Sequence, residues 1–314
     1  MSAPVNGTTG RAAGAARPPR RRRGGGEAEE RTLISANDLR HPGTRASVLS
    51  WKALFLAILV LVGLYPLFWL VVAATSTSQD TLRDPLGLWG QGFHPGNLVD
   101  AWNKVQINLY TANTFIIAIG TTFFMLLVTL TAAYVLAILR PRYAAFLDAA
   151  IMATLFIPGI ISLVPLYLTI IDLEIIDTWW AVWLPGAVSA FNVLIVKQYL
   201  QTIPAELFEA AKIDGTGPIR VLWHIVLPLA RPIMGVVALL TFIASWRDFL
   251  WPLLALPSPA KRPLSVALSL AERSTDLSLA MAAMLIATII PIVLFLVFQR
   301  QFLSGVSATG SVKG

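Results

Sequence analysis

Cysteine is absent from the 314 residues. Its absence removes disulfide frameworks, thiol nucleophiles, Cys-ligated zinc and iron–sulfur clusters, and nothing remains from which to read a redox compartment. Charge is scarce too. Only 13% of the residues are charged and 56% are hydrophobic, against about 25% and roughly 45–50% in an average soluble domain. That balance excludes an ordinary soluble enzyme. Histidine occurs three times, at His41, His94 and His224, too scattered for a metal cluster or a proton relay. No Gly-x-x-x-x-Gly-Lys-Ser/Thr string, no His-Glu-x-x-His signature and no fixed-period repeat occurs.

What is present is a series of long uncharged runs. A bilayer helix takes about 20 mostly apolar residues, and a charge near its centre costs at least about 2.5–3.5 kcal/mol. Reading between the charges predicts six spans at about 53–74, 113–139, 149–171, 178–196, 232–256 and 277–298. Arg247 and Asp248 interrupt the fifth. One such run could be a buried soluble helix; six in succession define an all-α integral membrane protein with six transmembrane helices. Pro158-Gly159, Pro165, Pro185-Gly186 and Pro291 fall inside spans three, four and six, as static kinks or as hinges.

Lys and Arg set the orientation, because cytoplasmic flanks are enriched in them. Ten lie in residues 1–52, two at Arg140 and Arg142, four from Lys197 to Arg231 and two in the tail, which puts 18 of 24 on one side. Both termini are therefore predicted to be cytoplasmic. Trp51, Trp69, Trp89, Trp179, Trp180 and Trp251 lie near span ends, as interfacial aromatics do.

Outside the 51–300 region, residues 1–50 are rich in Gly, Ala, Pro and Arg and read as a disordered basic cytoplasmic tail; residues 301–314 form a short cytoplasmic C-terminal tail. The Arg20–Arg23 run is a solvated charge block or a weak lipid contact. The connection from Ser76 to Ala112 is rich in Pro and Gly, with one short helix expected near Leu98–Val105.

The longest internal cytoplasmic loop, 198–231, reads as helix, turn, helix. Pro204 suits the first turn of a helix, Glu206 and Glu209 lie near its positive dipole end, Gly215 and Gly217 provide stops, and Pro218 opens the next helix. Leu207, Ala210, Ala211 and Asp214 follow the i, i+3, i+4, i+7 spacing and are predicted to share one flat face. On pattern alone the commoner reading is an amphipathic segment at the membrane surface.

The string Glu209-Ala210-Ala211-Lys212-Ile213-Asp214-Gly215, followed by Ile225-Val226-Leu227-Pro228, shifts that reading. It resembles the EAA loop of membrane subunits of bacterial ABC importers: Glu-Ala-Ala, a Gly four residues after the second Ala, and a downstream apolar-Leu-Pro. Trp246–Phe249 resembles a Trp-Asn-acid-Phe segment, and the Val-Lys-Gly ending resembles the tail, of the carbohydrate-uptake branch of that family. Arg247 departs from the usual Asn. The resemblance spans about residues 50–314. It implies a type I importer permease architecture, with Glu206, Glu209, Ala210, Ala211, Asp214, Gly215, Leu227 and Pro228 forming the contact to a cytoplasmic ATPase. It further implies a second permease subunit, an ATPase dimer carrying ATP and Mg, and an external substrate-binding protein, in a bacterial inner membrane. No cofactor or metal is expected on this chain, and no catalysis of its own.

Trp246, Arg247, Asp248 and Tyr167 are candidates for the translocation pathway, since sugars favour aromatic faces and polar partners; interfacial anchoring or an outer charge pair explains the same residues. An ion-coupled secondary transporter needs midplane acids or a two-fold repeat, and a permease for a non-sugar solute is a second alternative. A membrane enzyme would need a Ser/His pair or metal signature in the spans.

Overall fold

The structure is a computed structural model that describes residues 42–274 and 276–310. Helices account for its regular structure, and no strand occurs among the described residues. The expected tail 1–50 lies outside them up to residue 41, and residues 311–314 do as well. The chain divides into two compact units, residues 1–62 and 63–314. In the first, the described part is the leading portion of helix α1 (Pro42–Ala74), whose apolar side chains from Leu54 to Val62 are largely exposed. The helix begins at Pro42, ahead of the expected start near 53 and inside the expected tail. No Pro or Gly falls between Gly43 and Gly63 to stop it.

The second unit contains α2 (Ser78–Arg83), α3 (Gly96–Lys104), α4 (Ile107–Tyr134), α5 (Ala144–Thr154), α6 (Leu163–Asp172), α7 (Trp180–Gly186) and α8 (Ala190–Leu200). It continues with α9 (Ala205–Ile213), α10 (Pro218–Val221), α11 (Leu227–Arg247), α12 (Leu250–Ala255), α13 (Leu264–Ser274) and α14 (Leu277–Gly310). Three described stretches are each long and apolar enough to cross a bilayer: Ala46–Ala74, Ile107–Leu139 and Pro218–Arg247. The α5–α6 and α7–α8 pairs qualify only as bent pairs, broken by 98° and 47°.

Those breaks fall inside the expected spans at 149–171 and 178–196, at or next to the Pro158-Gly159 and Pro185-Gly186 positions expected as kinks or hinges. Pro158 is extended (ψ 127°), and the chain tightens ahead of it, with Leu155, Phe156 and Ile157 donating to carbonyls three residues back. In the second pair Ser189 is extended, and its hydroxyl accepts from the Asn192 N–H at 3.3 Å, so α8 starts with its own N-cap. The 232–256 span is also two helices. Pro252 has no N–H for the carbonyl four residues back, that of Asp248, and the Ser265 hydroxyl donates to that carbonyl instead at 2.6 Å. Helix α14 continues through Gly310, beyond the expected end at 298.

Helices α4 and α11 pack along each other; α4 contributes to three apolar clusters and α11 to two of them. Near Arg140, Leu130, Ala133, Tyr134 and Ala137 meet Val196, Leu200, Phe208, Ala211, Val226, Ala230 and Ile233. At the other end of α4, Ile107 packs with Ala74, Ala101, Trp246, Leu264 and Ala282. Ile117 packs with Ile170, Ala181, Val182, Ala255 and Leu256. Alanines recur at these contacts because small side chains let helix backbones approach. Near Asp177, the Asn113 amide donates to the Ala260 and Arg262 carbonyls (2.9 and 3.0 Å), and the Asp177 carboxylate accepts from Ser258 N–H and pairs with Lys261 at 3.3 Å. These bonds hold the 256–263 connection against α4 and the start of α7.

Candidate functional site

The 198–231 segment folds as helix, turn, helix. Pro204 is the extended residue that precedes α9, with Ala205 as the first helical residue. The helix ends in a complete Schellman motif: Gly215 N–H donates to Lys212 C=O at 3.0 Å and Thr216 N–H to Ala211 C=O at 2.9 Å. Gly215 is left-handed (φ +71°), which accounts for glycine at this point of the motif. Gly217 is extended at φ −70°, an ordinary conformation, so only the first of the two expected stops requires glycine. Replacing Gly215 by valine should lower stability by about 1–2 kcal/mol, whereas asparagine, which tolerates this region, should cost less. Apparent melting temperatures of the purified variants should rank Gly, Asn, Val.

Helix α9 divides its residues between two environments. Phe208 and Ala211 are buried in the cluster shared with α4 and α11. Glu206, Leu207, Glu209, Ala210 and Asp214 are exposed, and Ile213 reaches 86% exposure. Ala211 therefore leaves the flat face expected for Leu207, Ala210, Ala211 and Asp214. It lies on the margin of that face at helical spacing, and Phe208, three residues earlier, draws its side of the helix onto the core. The Tyr134 hydroxyl donates to Pro218 C=O at 3.0 Å, tying the start of α10 to α4.

Between α10 and α11, residues Leu222–Val226 form a π turn, in which the Leu227 N–H bonds to Leu222 C=O. The wider turn has a local cause: Pro228 cannot donate to the carbonyl four residues back and would crowd it. Leu227 packs against the core and Pro228 is half-buried. The Leu-Pro pair thus shapes the entry to α11, apart from the exposed face of α9.

A separate cleft of about 880 Å³ lies between α4, α7–α8 and α11. Thr121, Met125, Val182, Gly186, Ser189, Phe191, Asn192, Leu240, Thr241, Ala244, Ser245, Arg247, Asp248 and Trp251 line it. The α7–α8 break and the end of α11 both border it, in keeping with the rule that irregular backbone inside a bilayer lines cavities or is buried in protein. The Asn192 amide donates to the Thr241 hydroxyl at 3.5 Å, and the Trp251 indole N–H to Ala181 C=O at 2.9 Å. Among the four pathway candidates, Arg247 and Asp248 line this cleft. Trp246 is 7% exposed and packs edge-on against Phe115 (5.1 Å) and stacked on Phe242 (5.9 Å), away from it. Tyr167 packs beside Ile170 and Val182 in another cluster. Sequence reasoning missed Thr121, Ser189, Asn192, Thr241 and Ser245. Their signal was available as hydroxyls and an amide placed within otherwise apolar runs.

Long apolar helices packed as a bundle, with a cleft lined in part by polar side chains, fit an integral membrane protein. Comparison with known proteins specifies the class: residues 129–304 match the family described as binding-protein-dependent transport system inner membrane component. The chain belongs to this family, whose members are permease subunits of ABC importers. It is 31% identical over 257 residues to the sn-glycerol-3-phosphate transport system permease protein UgpE of Pectobacterium atrosepticum, covering 78% of this chain and 91% of that one. It is also 31% identical over 268 residues to the probable ABC transporter permease protein YurM of Bacillus subtilis, covering 84% and 88%. A solved bacterial ABC transporter involved in import of the acidic polysaccharide alginate shares the fold, with a TM-score of 0.72 and 22% identity over 83% of this chain and 98% of that one.

Proposed function

We propose that this chain is one of two permease subunits of an ATP-driven importer for a sugar or related carbohydrate, in a bacterial inner membrane. Six spans are assigned to α1, α4, α5–α6, α7–α8, α10–α12 and α14, with both termini cytoplasmic. A second permease completes the pathway, an ATPase dimer carries ATP and Mg, and a binding protein delivers solute. The name of the UgpE relative, which carries a glycerol phosphate, supports a hydroxylated solute.

One observation carries the coupling role. Helix α9 is fixed inward by Phe208 and Ala211 to the same cluster as α4 and α11, while Glu206, Leu207, Glu209, Ala210 and Ile213 are left outward. Force applied to that face passes directly to the two helices that organise the bundle. Closure of the ATPase pair would then switch the bundle between inward and outward access, as packed interfaces are bistable. The cleft beside α4 and α11 is this chain's wall of the pathway.

Because the chain has no cysteine, Ala210→Cys gives it a single thiol. A photoactivatable maleimide attached there should capture the ATPase subunit in the assembled transporter. The same reagent on Leu173→Cys, exposed at the opposite end of the bundle, should not. Failure to capture from position 210, or equal capture from both, removes the docking assignment.

A further inference from the structure

The cleft holds two polar groups that the chain itself does not use. Arg247 makes no ion pair or side-chain hydrogen bond with any described residue, and it borders the cleft at the end of α11. Its neighbour Asp248, half-buried and lining the same cleft, makes no ion pair with it. Thr121 is 6% exposed, lines the same cleft, and its hydroxyl has no hydrogen-bond partner. The remaining polar lining, Ser189, Asn192, Thr241 and Ser245, is uncharged.

Arg247 is exposed, so its guanidinium is accessible to a solute in the cleft, and its planar fork suits carboxylate and phosphate. Hydroxyl and amide groups suit a hydroxylated carbon skeleton. A buried hydroxyl without a partner carries a desolvation cost, which a bond to a solute hydroxyl would relieve.

We propose that Arg247 sets the charge preference of the pathway, and that the cleft passes a hydroxylated solute bearing an anionic group, a carboxylate or a phosphate. The proposal rests on the reading of the cleft as pathway wall. Arg247 acts as a charge filter on the solute: it concentrates anions in the cleft and disfavours cations, and the Asn that the family pattern carries at this position would give neither effect.

The test needs no knowledge of the solute. Ser245→Cys places the only thiol of the chain in the cleft, and in the full complex of both permeases and the ATPase its labelling by two methanethiosulfonates is timed. One reagent carries a sulfonate and the other a trimethylammonium. After correction for their rates on a free thiol, the anionic reagent should react faster, and Arg247→Gln should lower the anion-to-cation ratio about tenfold, as field focusing in clefts allows. Arg247→Lys should retain most of it. An unchanged ratio in a thiol that labels overturns the charge filter and leaves the pathway reading standing. A thiol that neither reagent reaches in any nucleotide state overturns the pathway reading and the filter together. Loss of the second permease on purification of Arg247→Gln also overturns the filter, because the cation then serves the subunit interface. Uptake provides an independent reading: proteoliposomes should accumulate galacturonate or sn-glycerol 3-phosphate in preference to galactose or glycerol, and Arg247→Gln should erase the difference. Preference for the neutral member of each pair in the unmodified complex overturns the proposal.

Discussion

Glu209→Lys should abolish solute-stimulated ATP hydrolysis and release the ATPase from the permease, while the variant chain itself remains folded. Glu209 is exposed on α9 and makes no ion pair or side-chain hydrogen bond with any described residue, so nothing inside the chain is lost on its replacement. Surface substitutions away from such partners usually fall within about 0.5 kcal/mol. At a docking surface the same change is severe, because reversing a charge at a complementary contact costs several kcal/mol. About 3 kcal/mol corresponds to a loss of affinity of more than a hundredfold. Two measurements separate the possibilities: co-purification of the ATPase with the permease pair, and the apparent melting temperature of the variant. Loss of the first with retention of the second supports docking through α9. Retention of both association and stimulated hydrolysis removes Glu209 from the contact.

The 198–231 loop was legible in the sequence because its signals are local. Gly215 ends α9 through a positive φ that its motif demands, and Pro218 opens the next helix. Each is decided within a few residues. The π turn at Leu222–Val226 was less accessible, although its cause, Pro228, stands in the sequence. A proline announces that a bond is missing without saying whether the chain will kink, widen or break. At Pro228 it widens; at Pro252 the missing bond lies at a break, with Ser265 taking up the freed carbonyl. That outcome depends on a hydroxyl thirteen residues away in sequence. The cleft was half legible for a related reason. Charge marked Arg247 and Asp248, but whether Trp246 faces the cleft or Phe115 is a matter of helix rotation, which uniform apolarity on both sides of α11 does not record. In a bundle exposed to lipid, the hydrophobic pattern has no polar face to give it phase.

Gly120→Val should be among the most damaging single changes in the chain. A Cβ at position 120 would lie 2.2 Å from Trp183 Nε1 and 2.3 Å from its Cε2, so the indole must move. It has little freedom to do so. Its N–H donates to Ile116 C=O at 3.2 Å, and its ring is held between Phe124 (5.9 Å) and Trp180 (5.3 Å). Overpacking costs typically about 1–3 kcal/mol, a substantial share of the roughly 5–15 kcal/mol that holds a protein folded; the indole hydrogen bond is exposed and its loss adds little. The expected result is a sharp fall in the yield of monodisperse protein from membranes and a lower apparent melting temperature. Trp183→Leu should partly restore both in the double variant, since it removes the ring that the new methyls strike; residues in contact couple in this way. The consequence extends to the cleft. Gly186, one turn along α7 from Val182, lies where its own Cβ would stand 2.6 Å from Thr121 Cγ2, and both Gly186 and Thr121 line the cleft. The close approach of α4 and α7 at these two glycines therefore sets the width of the cleft. A double variant that folds but has gained volume at position 120 should hold the helices apart and transport poorly, and under the proposed docking through α9 it should still co-purify with the ATPase.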